Sequence, residues 1–308
     1  MTTAESSRTI EPQAPWRGIF GQSAHTYALV LWLLSLILFR HSLISLANLS
    51  FHDELGSHIL LIPLISGFLI YLGRKRIFHA TQYSPSVGGP LLFLTVILWF
   101  SFKAPLSALR NPDRLSAIVA LIVLVWIAGF VFFYGASALK TAAFPLLFLF
   151  LMVPLPVAVS EHLTSLLQKG SAVISYVLFR LIGVPVIRHG FQFALPGVEI
   201  EVAEQCSGIH SGISLFIAGL LAEYVLLPGP WKKAFFTLCI FPIAILKNAV
   251  RIVTIAWLGI YVNPAFFHGQ LHRQGGLPFS LLALALMAVL LWLLRRPLDF
   301  SRPHQRSG

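Results

Sequence analysis

The chain has 308 residues, of which 57% are hydrophobic and 11% charged, against about 25% charged in an average soluble domain. That composition, with a mean hydropathy of +0.82, excludes a water-soluble globule and points to a helical membrane protein, each span needing about 20 apolar residues. The net charge of +11 does not imply nucleic acid. The basic residues are scattered through short loops between apolar runs, where they anchor and orient helices in a membrane.

Residues 1–23 are polar, mix Arg8 and Arg17 with Glu5 and Glu11, and lack the basic, apolar and cleavage regions of a signal peptide. They read as a cytoplasmic tail, as do residues 297–308, on either side of one polytopic membrane domain over 24–296. The apolar runs within it are Ala24–Ser45, His58–Leu72, Gly89–Phe102, Leu115–Tyr134, Ala142–Val159, Ile209–Leu227, Ala234–Ile260 and Leu277–Leu294. They predict an all-α integral membrane protein of about eight transmembrane helices. If these alternate, Arg74-Lys75-Arg76, Lys140, Lys232-Lys233 and Arg295-Arg296 share one side, which the positive-inside rule makes cytoplasmic. With the tails, that side carries 12 of the 22 Lys and Arg residues. The stretch from Lys103 to Arg114 runs against the rule.

An extracytoplasmic insert is expected over 160–205. Leu163, Leu166, Leu167, Val173, Ile174, Val177 and Leu178 recur at threes and fours among polar residues, as in an outer-surface interfacial helix that Gly183 ends. Val184 to Val202 alternates with turn residues and reads as a short β-hairpin, which must lie outside hydrocarbon or under protein because open strand edges are not tolerated there.

The string Glu204-Gln205-Cys206-Ser207-Gly208-Ile209-His210 opens the sixth run at its outer end. A cysteine near the first turn of a helix feels the positive end of the dipole, which favours the thiolate. The bland reading is a small membrane-helix hydrophobe beside a glycine-rich packing face. Lys247, Asn248 and Arg251 lie inside the seventh run, where ionisable residues point to function unless they only snorkel to the surface. Counted from Lys233, Arg251 lies about 27 Å further along the helix, at the outer boundary. His268 and His272 fall in the outer loop before the eighth run. A nucleophile, a base and a cation for a developing oxyanion are thus supplied to one face by three segments.

Cys206/His210 and His268/His272 are each four apart, so a zinc site is a competing reading, although glycines surround the second pair and no His-Glu-x-x-His occurs. Cys239 reads as filler in the cytoplasmic half of its helix. Glu223 is placed to pair with Lys232 or Lys233. Asp53, Glu54 and His58 either cap the second run or line the same outer vestibule.

Together these residues resemble the exosortase/archaeosortase membrane proteins. The resemblance rests on Glu204-x-Cys206-Ser207-Gly208-Ile209, Asn248-x-x-Arg251-Ile252 and His272-x-x-x-Gly276-x-x-Phe279, in that order. Ser57-His58 before Leu61-Ile62-Pro63 and Gly183-Val184-Pro185-Val186 before Gly190 add to it, so it covers about Asp53 to Leu294. It implies Cys206, Arg251 and His272 as the catalytic set, with Glu204, Asn248, His210 and His268 in support. His210 stands where many members have arginine, and His268 is a second candidate base. The implied substrates are secreted proteins with a C-terminal sorting signal, cleaved at the outer face of the plasma (inner) membrane. Membrane lipid and an exopolysaccharide machinery are the other expected partners, and neither metal nor organic cofactor is expected. From another functional class, a transporter or scaffold for polysaccharide export would use Arg251 and the histidines along a permeation path.

Overall fold

The computed structural model describes residues 16–52, 56–79, 83–109, 111–202, 208–267 and 276–295. The chain divides into two compact units between Pro154 and Leu155.

The first unit holds helices α1 (Trp16–Leu38), α2 (Arg40–His52), α3 (Leu61–Ile77), α4 (Pro85–Ala108), α5 (Asn111–Thr141) and α6 (Ala143–Phe148), the last running into a 3-10 turn at Leu149–Met152. Gly135, at φ 85° and ψ 170°, interrupts α5 one residue after the apolar run was expected to stop. Only glycine adopts that backbone without strain. α4 and α5 pack closely because Gly88 lies directly on the Phe132 backbone, where any Cβ would collide, and the Ser84 N–H donates to the Phe132 carbonyl at 3.1 Å. Polar groups tie the helices together inside: Trp126 Nε1 donates to Ser35 Oγ at 2.8 Å, and Ser66 Oγ donates to the Pro145 carbonyl at 2.6 Å.

The pattern of exposure is inverted relative to a soluble protein. Ser35, Ser66, Ser116, Ser171 and Ser175 are buried, whereas Leu34, Ile37, Leu64, Leu238 and Leu281 are exposed. Small polar residues between helices and large apolar ones outside are what a hydrocarbon solvent requires. Among the described residues four helices are long and apolar enough to span a membrane: α5, Ile209–Leu226, Pro230–Tyr261 and Leu277–Arg295. The number rises to six if Ser23–Leu38 with Arg40–His52, bent by 76°, and Ala143–Met152 with Val157–Leu181 each count as one span. The expected runs at His58 and Gly89 form α3 and α4. α3 has 17 residues, short for a crossing.

The second unit contains α7 (Val157–Leu181), a small sheet, α8 (Ile209–Leu226), α9 (Pro230–Tyr261), a 3-10 turn at Pro264–Phe267 and α10 (Gly276–Arg295). α9 is its central element and packs on α7, α8 and α10. α7 buries Leu167, Gln168, Ser171, Ala172, Ser175 and Phe179 and leaves Leu166, Val173 and Val177 exposed, so much of the expected apolar stripe faces outward.

The expected hairpin is a three-stranded antiparallel meander: β1 (Ile187–His189), β2 (Gln192–Leu195) and β3 (Val198–Glu201). Two glycine turns make it, Gly190 at φ 64° and Gly197 at φ 77°, with Arg188 opposite Phe193 and Phe193 opposite Ile200. The inward side chains Phe193, Leu195 and Val202 join Phe179, Val184, Val253 and Ala256 in one apolar cluster. One face of the sheet is therefore covered by α7 and α9, and Gln168 Nε2 donates to the Val202 carbonyl at 2.5 Å, fixing where the sheet hands the chain on.

Candidate active site

α8 and α9 are antiparallel neighbours joined at Gly229. Their contacts run level along both helices: Lys233 Nζ on the Tyr224 carbonyl (3.5 Å), Thr237 Oγ1 on Glu223 Oε2 (2.6 Å), Ile240 on Gly219, Lys247 Nζ on Ser211 Oγ, and Asn248 on Gly208. Each pair is nearly equidistant in sequence from Gly229, as expected when two helices of equal rise leave a tight turn. At the turn end, Lys232 Nζ caps the C-terminus of α10 by donating to the Leu294 carbonyl at 2.6 Å. The anticipated pairing of Glu223 with Lys233 persists as a charge interaction, but the hydrogen bond to its carboxylate comes from elsewhere. Its partner is the Thr237 hydroxyl, while Lys233 binds the Tyr224 carbonyl and lies 5.1 Å from that ring's centre.

The opposite end of this helix pair gathers the polar residues. Lys247 is 3% exposed and Asn248 1%. Asn248 Nδ2 donates to Ser171 Oγ at 3.0 Å, and Ser175 Oγ reaches the Ala249 carbonyl at 3.5 Å, so α7 holds the same stretch of α9 from the other side. Ser171 and Ser175 are small enough to let the helices meet, and Gly170 receives Ile245. Arg251 lies one turn beyond Lys247 and Asn248 and is partly exposed.

The first turn of α8 is shaped by Gly208, whose φ of 79° is left-handed. A Cβ there would stand 3.1 Å from Asn248 Cγ. Ser211 Oγ donates to the Gly208 carbonyl at 3.1 Å, which also takes the Gly212 N–H at 2.8 Å. His210 follows Ile209 at the start of the helix, with a buried Nδ1 that has no hydrogen-bond partner among the described residues.

Of the residues singled out by sequence, Arg251, Asn248 and His210 are therefore brought to one end of the α8–α9 pair. Cys206, Glu204, His268 and His272 lie outside the described residues, as do Asp53 and Glu54. The ends from which these segments depart are described. Gly208 is two residues after Cys206, and α10 begins four residues after His272. Phe267, next to His268, packs on Gly259 so closely that a side chain at 259 would overlap its ring. His58 sits in the turn ahead of α3, and Cys239 is half-buried in α9. The Ser211–Lys247 bond and the Ser171–Asn248 bond were not anticipated. The first had a signal: Ser211 and Lys247 are each 18 residues from Gly229.

No curated protein and no solved structure matches this chain. A family model described as transmembrane exosortase matches residues 46–293, a range that contains Arg251, Asn248 and His210 together with the segments of Cys206 and His272. With several long apolar helices and most of its length matched, the chain is a multi-pass membrane protein that belongs to the transmembrane exosortase family.

Proposed function

We propose that this chain is a cysteine endopeptidase, acting as a transpeptidase, that cleaves the C-terminal sorting signals of secreted proteins at the outer face of the plasma membrane. The observation that supports it is the level register of α8 and α9. Counted from Gly229, Arg251 lies at the same end of the helix pair as Gly208, which follows Cys206 by two residues in the sequence. The family match spans both positions, and the ordered motifs around them are the ones on which the resemblance rests.

In this reading the Cys206 thiolate attacks the scissile carbonyl, and Arg251 stabilises the oxyanion of the tetrahedral adduct. His272 takes the thiol proton and returns it to the leaving amine as the carbon–nitrogen bond breaks. A thioester to the substrate remains, and an amine or water then releases the product and regenerates the thiol. Among the supporting residues, Asn248 holds α9 against α7 through Ser171, which fixes Arg251 along its helix axis. His210, at the start of α8, faces the same end of the helix pair. Co-expression with a secreted substrate carrying a sorting signal tests the reading. Mass spectrometry should find a new substrate C-terminus near the signal only when the chain is active, and unprocessed substrate would refute it.

A further inference from the structure

The first unit holds a groove of about 460 Å³ with α3 along one side and His25 of α1 on the other. α3 contributes Gly67, Ile70, Tyr71, Arg74 and Lys75, at positions i, i+3, i+4, i+7 and i+8, which is one face of the helix. In that order the stripe passes from apolar through aromatic to cationic over eight residues, about 12 Å of helix rise. The apolar end is roomy, since a Cβ on Gly67 would meet nothing within 4 Å. Tyr71 is exposed, as are Leu64, Phe68 and Leu72 beside it, so the groove opens on the apolar surface that this unit presents to a membrane.

The cationic end is held in place. The Arg74 guanidinium lies over the Tyr71 ring, 4.1 Å from its centre, and Nη1 donates to the Tyr71 carbonyl at 2.9 Å, which leaves its other N–H groups to donate elsewhere. Across the groove, His25 Nδ1 and the Tyr134 hydroxyl are hydrogen-bonded at 2.9 Å. The His25 ring meets Phe78 edge-on at 5.1 Å, and Phe78 packs on Tyr134 at 4.8 Å. α5 thus fixes the imidazole and leaves Nε2 as the ring nitrogen for a ligand. Among the described residues of this unit Asp113 is the single acid, and it stands 21 residues before Tyr134, about 30 Å away along α5. The cations of the groove therefore have no carboxylate of the unit beside them.

We propose that this groove binds a phospholipid with an anionic headgroup: Arg74, Lys75 and His25 take the phosphate, and an acyl chain runs along Tyr71, Ile70 and Gly67. The order of the stripe repeats the order of a lipid from tail to headgroup, with the tyrosine at the level where aromatic residues sit in an interface. A basic pocket between helices is the chemistry that holds such headgroups. Basic residues in the last turn of α3 also complement its dipole. Arg76 does so too but lies off the groove, which makes it the control for a diffuse attraction between a basic helix end and an anionic leaflet.

The test is native mass spectrometry of the full chain, purified in detergent and mixed with equal amounts of phosphatidylglycerol and phosphatidylcholine. The parent chain should retain phosphatidylglycerol in preference, and Arg74→Gln or Lys75→Gln should each lower that preference about fivefold. Arg76→Gln should leave it within about twofold of the parent. Gly67→Phe, which fills the apolar end and keeps every charge, should also lower retention of phosphatidylglycerol. Glycerol 3-phosphate and inorganic phosphate should not displace the lipid. Equal losses from Arg74→Gln and Arg76→Gln would show a diffuse attraction and overturn the proposal. Displacement by glycerol 3-phosphate, with Gly67→Phe unchanged, would show a site for a soluble phosphate and overturn the lipid assignment. Should Arg74→Gln not fold, an unchanged preference in both Lys75→Gln and Gly67→Phe overturns it as well.

Discussion

Gly208 and Asn248 meet across the α8–α9 contact, so closely that a methyl group on Gly208 would stand 3.1 Å from the Asn248 side-chain carbon. Gly208 also has φ 79°, a conformation that costs an L-residue about 1–2 kcal/mol. Gly208→Ala therefore combines backbone strain with a push on the residue that ties α9 to Ser171. It should lower thermal stability in detergent and reduce substrate cleavage by more than tenfold. Gly183→Ala, also at positive φ but with open space around it, should cost stability alone.

Arg251 and Lys247 are both cations of α9, yet their surroundings demand different chemistry. Lys247 is buried on a hydroxyl, and Arg251 is partly exposed at the level of the proposed oxyanion. Arg251→Lys should remain impaired by about 10²–10³ in kcat, because an ammonium lacks the planar fork of the guanidinium. Near-normal turnover of a sorting-signal peptide would show that charge alone suffices.

Two histidines precede α10 in the sequence. His272, four residues ahead of the helix, is the one that stands in the Gly276/Phe279 context on which the resemblance rests, and His268 is not. His272→Ala should abolish cleavage and His268→Ala should reduce it mildly. Activity of the purified enzyme should survive chelator, and His210→Ala should remain active. Equal loss from all three histidine changes, together with inactivation by chelator, would be the behaviour of a zinc site.

Orientation follows from the basic clusters. Lys232 caps the α10 carboxyl end through the Leu294 carbonyl, so Lys232, Lys233 and Arg295 share one end of the helix group, opposite Lys247 and Asn248. Reporter fusions at Arg76, Lys233 and Gly308 should all report cytoplasm. An outward signal at Lys233 would move Arg251 to the inner face and remove the proposed site of cleavage.

How far the residues announced this arrangement depends on whether a feature is local. The end of the regular part of α5 at Gly135 was visible in the apolar run that stops at Tyr134, since a glycine at positive φ breaks a helix wherever it falls. The sheet was recognised as β structure but counted as one hairpin. Gly190 and Gly197 each make a turn, and Pro196-Gly197 was a second turn signal in the segment that a single hairpin leaves unused. The polar face of α7 was harder to see. Gln168, Ser171 and Ser175 are inward only because they meet Val202, Asn248 and Ala249, partners 34, 77 and 74 residues away. Apolar periodicity finds the inside of a helix in water, and in hydrocarbon the same stripe can face the solvent. The Ser211–Lys247 bond lay between these cases, readable by counting outward from Gly229 once the two helices are taken as antiparallel neighbours.

The covalent intermediate is the most direct test of the central claim. Purified enzyme mixed with a sorting-signal substrate and quenched in acid should gain the mass of the substrate's N-terminal part, carried on the peptide that contains Cys206 and released by hydroxylamine as a thioester is. Cys239→Ala should form the same adduct, since that residue lies about 18 Å along α9 from Arg251, and Cys206→Ala should form none. Cleavage of the substrate by Cys206→Ala, or an adduct on a different residue, would contradict the account.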